Sequence, residues 1–365
     1  MQSIAKKYFK KRQLFVAISC YMHKEITIYD LARELDLSAA TISRALKDHP
    51  AINKNTKKRI VEKAEELGYR SNNFASNLRR QKSHTIGVIV HELNSNFITS
   101  VLAGIEKVTT IANYDLIIGH SSELSSKEVA NANNLFHKRV DGLIAALAFD
   151  TENLDHYAPF FERNIPVVFF DRVEEDSKGT KVIIDNFKAG YEATQHLIDQ
   201  GCRRIVHTTS SLKRNVYAQR YNGYLAALKD NGIPFDESLL FINDLKKESC
   251  IAFANQVAAM KPLPDGIFTT NDLTAALSIQ VFKEKGIRVP EDIAVVGFNN
   301  DTISIIIEPK LTTVNYPGMD IGEVAATHLV KQLQGANGTN NTNSIVLKSE
   351  LIIRESSLKK DKLKK

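Results

Sequence analysis

Short helical patterns open the first well-ordered stretch of the chain. Ile28, Leu31 and Leu35 recur at i, i+3 and i+7, which predicts a helix with one apolar face. Thr27 is placed to cap it, and Asp30 in the first turn suits the helix dipole. Asp36-Leu37 breaks the pattern, and Ser38 caps a second segment, Ala39–Leu46. There Ile42, Ala45 and Leu46 face inward, and Thr41, Ser43 and Arg44 fall on other faces. Only about three residues separate these two helices, which is helix-turn-helix spacing. A third helix is predicted from about Thr56 to Leu67, with Ile60, Val61, Ala64 and Leu67 as its stripe and Gly68 as a left-handed stop. So small a bundle buries little area and is marginal alone.

From Ile86 the period changes. Short apolar runs, the strand candidates, fall at Ile86–Val90, Leu116–Gly119, Gly142–Ala146 and Val167–Phe170. A second set falls at Val182–Ile184, Ile205–His207, Gly266–Thr269 and Ala294–Phe298. Amphipathic stretches separate them: Ile98–Ala112, Lys127–Lys138, Lys188–Gln200, Tyr217–Asn231, Cys250–Met260 and Leu273–Lys285. That alternation predicts an α/β body of parallel sheets with helices on both faces. The body is too long for one such sheet, so two similar lobes are expected. A late helix, Met319–Gln334, and a final strand, Ile345–Ile353, suggest that the chain crosses between lobes again. The expected divisions are an extension at 1–24, the helix-turn-helix head at 25–70, a linker at 71–84, the body at 85–355 and a tail at 356–365. Lobe one takes about 85–183 and 317–344, and lobe two about 184–316 and 345–355.

Charge adds a division that hydropathy does not show. The formal net charge of the 365 residues is +6, but residues 1–84 carry +10, the KKDKLKK tail +4 and the rest −8. A basic head on an acidic body points to a polyanion partner for the head alone. Cys20, Cys202 and Cys250 are far apart, which excludes a disulfide scaffold and a structural zinc site and suits a reducing compartment. No apolar run approaches the ~18 residues that span a bilayer, so no membrane partner is expected. The apolar stretch Leu14–Ile18, after the basic Lys6–Arg12, is shorter than the ~7–15 residues a signal peptide needs, and Met22 is read as the natural start. GxGxxG after the first strand, GxxxxGK[ST], HExxH and GxSxG are all missing, and the histidines are scattered. No enzyme activity, metal or cofactor is therefore expected.

Two stretches carry a specific likeness. Ile26-Thr27-Ile28-Tyr29-Asp30-Leu31-Ala32 and Leu37-Ser38-Ala39-Ala40-Thr41-Ile42-Ser43-Arg44-Ala45-Leu46 closely resemble the head of the LacI/GalR family of bacterial transcription regulators. Gly68–Leu78 resembles that family's hinge, and the likeness continues to about Ser356. The resemblance implies a periplasmic-binding-protein-like (type I) body. It also assigns Thr27, Tyr29, Ser38 and Ser43 to phosphate contacts, Thr41 and Arg44 to phosphate or base edges, and Ala39 and Ala40 to base reading. Two alanines make no bidentate base contact, so specificity is expected from Arg44, the hinge and DNA shape. Leu78 matches the hinge leucine that wedges into the minor groove. Other readings keep Ser38 as a cap, Tyr29 as a packing residue and Leu78 as part of a plain linker.

In such a body, ligands sit beyond the carboxyl ends of strands, between lobes. The strand-end candidates are His91, Asp171, Asp185, Asn271 and Asn299. By resemblance, Phe97 packs on the effector, while Asp171, Arg220, Asn271 and, in some members, Arg214 make polar contacts with it. Asp272 is adjacent to the cleft and Asp185 is assigned a structural role. Asn299 stands where the family often has Asp, and Tyr316 where Gln is frequent. The expected whole is a cytoplasmic homodimer that binds a near-palindromic operator in double-stranded DNA, controlled by a small molecule of carbohydrate type. The rival is a stand-alone or exported sugar-binding protein.

Overall fold

The structure, a computed structural model, describes residues 26–69, 82–335 and 343–359. The chain divides into two units, residues 1–81 and 82–365, each taken by itself below.

In the first unit, α1 (Ile28–Leu35), α2 (Ala39–Leu46) and α3 (Lys54–Glu66) form the expected bundle. Thr27 and Asp30 make a reciprocal capping box, Asp36 closes α1 in the left-handed region, and Ser38 caps α2 through the Thr41 amide. Asn53 caps α3, which therefore starts two residues before the expected Thr56. Gly68 at φ 64 ends it. Leu31, Ile42, Ala45, Ile60 and Ala64 make the core. Val61, expected in the stripe, is 41% exposed, while Ile60 and Ala64 are buried in the core and Leu67 packs against it.

The second unit holds two six-stranded sheets. The first begins with β1 (Thr85–Val90), α4 (Asn96–Ile111), β2 (Asp115–His120), α5 (Ser125–His137), β3 (Gly142–Ala145), α6 (Ala158–Glu162), β4 (Val167–Phe170) and β5 (Thr180–Ile184). The second takes α7 (Asn186–Asp199), β6 (Ile205–Thr209), α8 (Asn215–Asp230), β7 (Leu240–Ile242), α9 (Lys247–Ala259) and β8 (Gly266–Thr269). It continues through α10 (Asp272–Glu284), β9 (Ala294–Asn299), α11 (Ile303–Ile306) and β10 (Thr312–Asn315). The chain then returns to the first sheet with α12 (Gly318–Leu333) and β11 (Ser344–Leu347), and ends on the second with β12 (Glu350–Ile352).

The orders are β11-β5-β4-β3-β1-β2 and β12-β10-β9-β8-β6-β7. Every pairing is parallel except β10 with β12. The doubly wound α/β architecture is the expected one. Two readings are corrected. Val182–Ile184, set at the head of the second group, belongs to the first sheet, where Val182 pairs with Phe170. The single strand expected over 345–353 is two strands in different sheets, so residues 345–347 belong with lobe one and not lobe two. β5 and β10 lie in different sheets, and the polar Lys348-Ser349 marks the break between the strands that join them.

The chain thus passes between lobes three times, near residues 185, 316 and 348. Asp185 caps α7 by accepting from the Lys188 amide at 2.8 Å, the structural role expected of it. In lobe two α7 and α8 pack backbone to backbone. A Cβ on Gly190 would strike the Arg220 carbonyl, and one on Gly223 the Phe187 carbonyl, so both positions need glycine. Among the described residues no helix is long and apolar enough to cross a membrane.

Candidate nucleic-acid interface and ligand cleft

On the head, the start of α2 presents small and polar side chains outward. Ala40 and Arg44 are exposed, while Ala39, Thr41 and Ser43 are half-buried. The Ser38 and Thr41 hydroxyls lie 2.8 Å apart, so both are tied into the cap. Thr27 is an exposed cap, its hydroxyl donating to Asp30 at 2.7 Å, and Tyr29 is 70% exposed. Leu78 lies outside the described residues.

In the body, three of the six candidate effector residues, Phe97, Asp171 and Arg220, converge around Tyr316. Phe97 stacks on Tyr316 with ring centroids 4.2 Å apart. The Tyr316 hydroxyl donates to Asp171 at 2.7 Å. The Arg220 guanidinium lies 3.6 Å over Phe298 and 5.4 Å from the Tyr316 ring. Arg220 also donates to Asn186 at 2.8 Å and to the Thr270 carbonyl at 3.1 Å. Asn271 follows that carbonyl, but its side-chain oxygen caps α10 by accepting from the Thr274 amide at 2.7 Å. Asn299 ends β9 at φ 112, and Asp171 follows β4 at φ 57. Such left-handed backbone costs a non-glycine residue on the order of 1 kcal/mol and clusters at functional sites.

Arg214 sits apart from that cluster, at the head of α8, and reaches across to lobe one. Its Nη2 donates to the Thr151 carbonyl at 2.6 Å, and Nη1 stands 3.1 Å from Glu174. It is one of several bridges between lobes. Arg172 donates to the Tyr217 hydroxyl at 2.9 Å. Asn215 accepts from the Val173 amide at 3.0 Å and donates to the Asp171 carbonyl at 3.2 Å. Arg172, Glu123, Tyr217 and Asn186 were not among the expected residues. Arg172 and Asn186 each follow a strand-end residue that was, and that adjacency was the available signal.

Electrostatics tie this end of the body together. His91 meets Glu123 at 3.0 Å through Nδ1 and Asp171 at 3.2 Å through Nε2. Burial and Arg172 push its imidazole down, but the two carboxylates outweigh them and hold it above its ordinary value. Asp171 and Glu123 fall below the carboxylate range although burial raises them, because His91 and Arg172 stabilise their charges. The state that satisfies both carboxylates is the imidazolium, donating from both nitrogens. Asp272 is different. Burial pushes it up to about 8, so it is largely neutral at pH 7.

A helix-turn-helix head on a two-lobed body with a polar cleft defines a DNA-binding protein under ligand control. The sequence profile of the bacterial regulatory proteins, lacI family, matches residues 27–72, and that of the periplasmic binding protein-like domain matches 194–357. Catabolite control protein A of Priestia megaterium is 33% identical over 309 residues, covering 84% of this chain and 92% of that protein. The HTH-type transcriptional regulator RegA of Clostridium saccharobutylicum is 32% identical over 333 residues, 91% of this chain and 99% of that one. A structure of the transcriptional regulator CelR in complex with cellobiose superposes with TM-score 0.67 at 26% identity, over 91% of this chain and all of that one. The lac repressor dimer bound to operator shares the fold, with TM-score 0.78 at 23% identity over 92% of this chain and all of that one. The chain belongs to the lacI family of bacterial regulatory proteins and is a DNA-binding transcription regulator. The stand-alone binding protein is thereby set aside.

Proposed function

We propose that this regulator acts in the cytoplasm as a homodimeric repressor whose operator affinity is set by a small polyhydroxylated molecule in the cleft, without enzymatic turnover. Two copies of α2 would lie in major-groove half-sites. Tyr29, Thr27, Ser38 and Ser43 would hold phosphates, Thr41 and Arg44 would touch phosphate or base edges, and Ala39 and Ala40 would allow close approach. Leu78 is assigned the minor-groove contact by resemblance. The CelR relative's cellobiose supports a carbohydrate-like effector.

The observation that carries the reading is the set of lobe-to-lobe bridges, all rooted at strand ends or at the start of α8. A ligand entering among Phe97, Asp171, Arg220, Asn271 and Asn299 exchanges these bonds for its own. It thereby changes which lobe arrangement is favoured, the differential affinity that ligand control requires.

The test begins with a duplex selected by the protein from a random pool. Arg44→Ala should weaken binding by about 10- to 100-fold and lower the slope of log affinity against log salt by about one. Arg220→Ala should retain duplex binding and lose every ligand-induced rise in melting temperature. Unchanged affinity in Arg44→Ala sinks the DNA-reading assignment, and a retained ligand response in Arg220→Ala sinks the cleft.

A further inference from the structure

With the cleft taken as the effector site, we propose that binding there releases the proton held by His91, so that acid opposes the effector.

His91 follows β1 and is 5% exposed. Its Nδ1 meets Glu123, in the turn before α5, and its Nε2 meets Asp171, after β4. A neutral imidazole carries one N–H, so without the second proton one of these carboxylates would face a ring lone pair. Charge around the ring counts the same way. Arg172, beside Asp171 in sequence, is the other cation and donates to Glu123. Two cations then face two carboxylates, and loss of the proton leaves one negative charge uncompensated in a largely buried place. From lobe two, Arg220 on α8 spends its bonds on Asn186 and the Thr270 carbonyl and donates to neither carboxylate. Tyr217 and Tyr316 stand by as neutral phenols, held above their ordinary value by burial. Glu92, next to His91 in sequence, is turned into its own loop and accepts from the Leu93 and Asn94 amides.

The two bonds of His91 differ in what else holds their acceptors. Glu123 is committed within lobe one, where its other oxygen accepts from Arg172 at 2.6 Å and from the Phe149 amide at 3.2 Å. Asp171 belongs to the cleft: its other oxygen accepts from Tyr316, and its carbonyl accepts from Asn215 of lobe two. The bond to Asp171, at 3.2 Å, is also the longer of the two. A ligand hydroxyl that donates to Asp171 supplies what the Nε2 proton supplies in its absence. With that carboxylate turned to the ligand, His91 needs a proton only on Nδ1, for Glu123, and gives the other to solvent. Proton and effector then oppose each other, each weakening the other by the same factor. Affinity rises with pH while the free protein still holds the proton, by about tenfold per unit when one proton leaves, and levels off above the raised value of His91.

The full chain is screened by thermal unfolding with glucose, galactose, ribose and cellobiose. The sugar with the largest shift is then titrated by calorimetry at about pH 6.5 in PIPES and in Bis-Tris, whose different ionisation enthalpies count the protons released. The parent should release close to one proton more than His91→Gln, in which nothing at that position titrates. Its Kd should also fall with pH more steeply than that of the variant, by about tenfold per unit. Asp301 and Asp272, raised by burial to about 6 and about 8, titrate in the same range in both proteins, so the difference between them belongs to His91. Glu123→Gln should lose the extra proton too, because its amide donates to a neutral ring, and it serves if His91→Gln does not fold. Equal proton release in parent and variants overturns the linkage, and sugar binding that is still lost in Arg220→Ala then leaves the cleft standing. No melting shift from any of the four sugars overturns the cleft and the linkage together.

Discussion

Arg44 in the head and Arg220 in the body are both assigned to ligand contact, yet their surroundings are opposite. Arg44 stands in solvent on α2. Arg220 is 3% exposed, over Phe298 and hydrogen-bonded to Asn186 and the Thr270 carbonyl. The contrast extends to their neighbours. Tyr29 is left in water, while Tyr316 of the body is stacked on Phe97 and bonded to Asp171. A surface that acts by meeting a large rigid partner needs side chains free to be desolvated on contact. A cleft that acts by changing conformation needs side chains already bonded to one another, so that a ligand replaces one set of bonds by another. The head is built to dock and the body to exchange partners.

Three measurements would break or sharpen that comparison. The largest effect is expected from Ile42→Ala, which removes a fully buried side chain from the five-residue core of the head. The loss is about 2–5 kcal/mol. A bundle this small holds only ~3–5 kcal/mol in total. Calorimetry should show the head transition vanishing and the body transition intact, with operator binding abolished. A body transition that moves with it would show that the two units do not act separately.

A smaller effect separates the interiors by pH. Asp272 in the folded body keeps its proton up to about pH 8, whereas in the unfolded chain it loses it near 3.8. Between those values the folded state holds the extra proton, so this group's contribution to stability falls as pH rises, by about 1.4 kcal/mol per unit. Asp272→Asn removes the titration. The slope of body stability between pH 5 and 7, set by urea unfolding, should therefore become more positive by that amount. An unchanged slope would mean that Asp272 is ionised in the fold. The smallest effect belongs to Val61→Ala, which removes a side chain 41% exposed on the head. Its cost should stay within about 0.5 kcal/mol by the same calorimetry. A larger loss would mean that α3 presents this face to something.

The residues that the sequence misjudged have physical reasons in common. β10, Thr312–Asn315, was not expected as a strand because three of its four side chains are polar. In the fold Thr312 bonds to Ser357 and the Arg354 carbonyl, and Thr313 to Asp272, so a buried strand carries satisfied polar side chains. Hydropathy cannot distinguish such a strand from a loop. Val61 erred the other way, since a stripe of adjacent apolar residues leaves open which one turns inward. Among candidate site residues, Asp171, Asn271 and Asn299 could be proposed from the sequence because parallel sheets place ligands at strand ends. The bridges through Arg172, Glu123 and Tyr217 were not, because they depend on how closely two lobes approach.

The sequence by itself determined the helix-turn-helix head, the basic-on-acidic division, the α/β alternation of the body and the polar residues at its strand ends. These follow from local period, capping chemistry and charge, which need no knowledge of what lies opposite. Only the tertiary structure decided that 345–353 serves two sheets and that His91 sits between two carboxylates. Each of those facts is a relation between residues far apart in the chain. It is set by strand order and lobe closure rather than by any local preference.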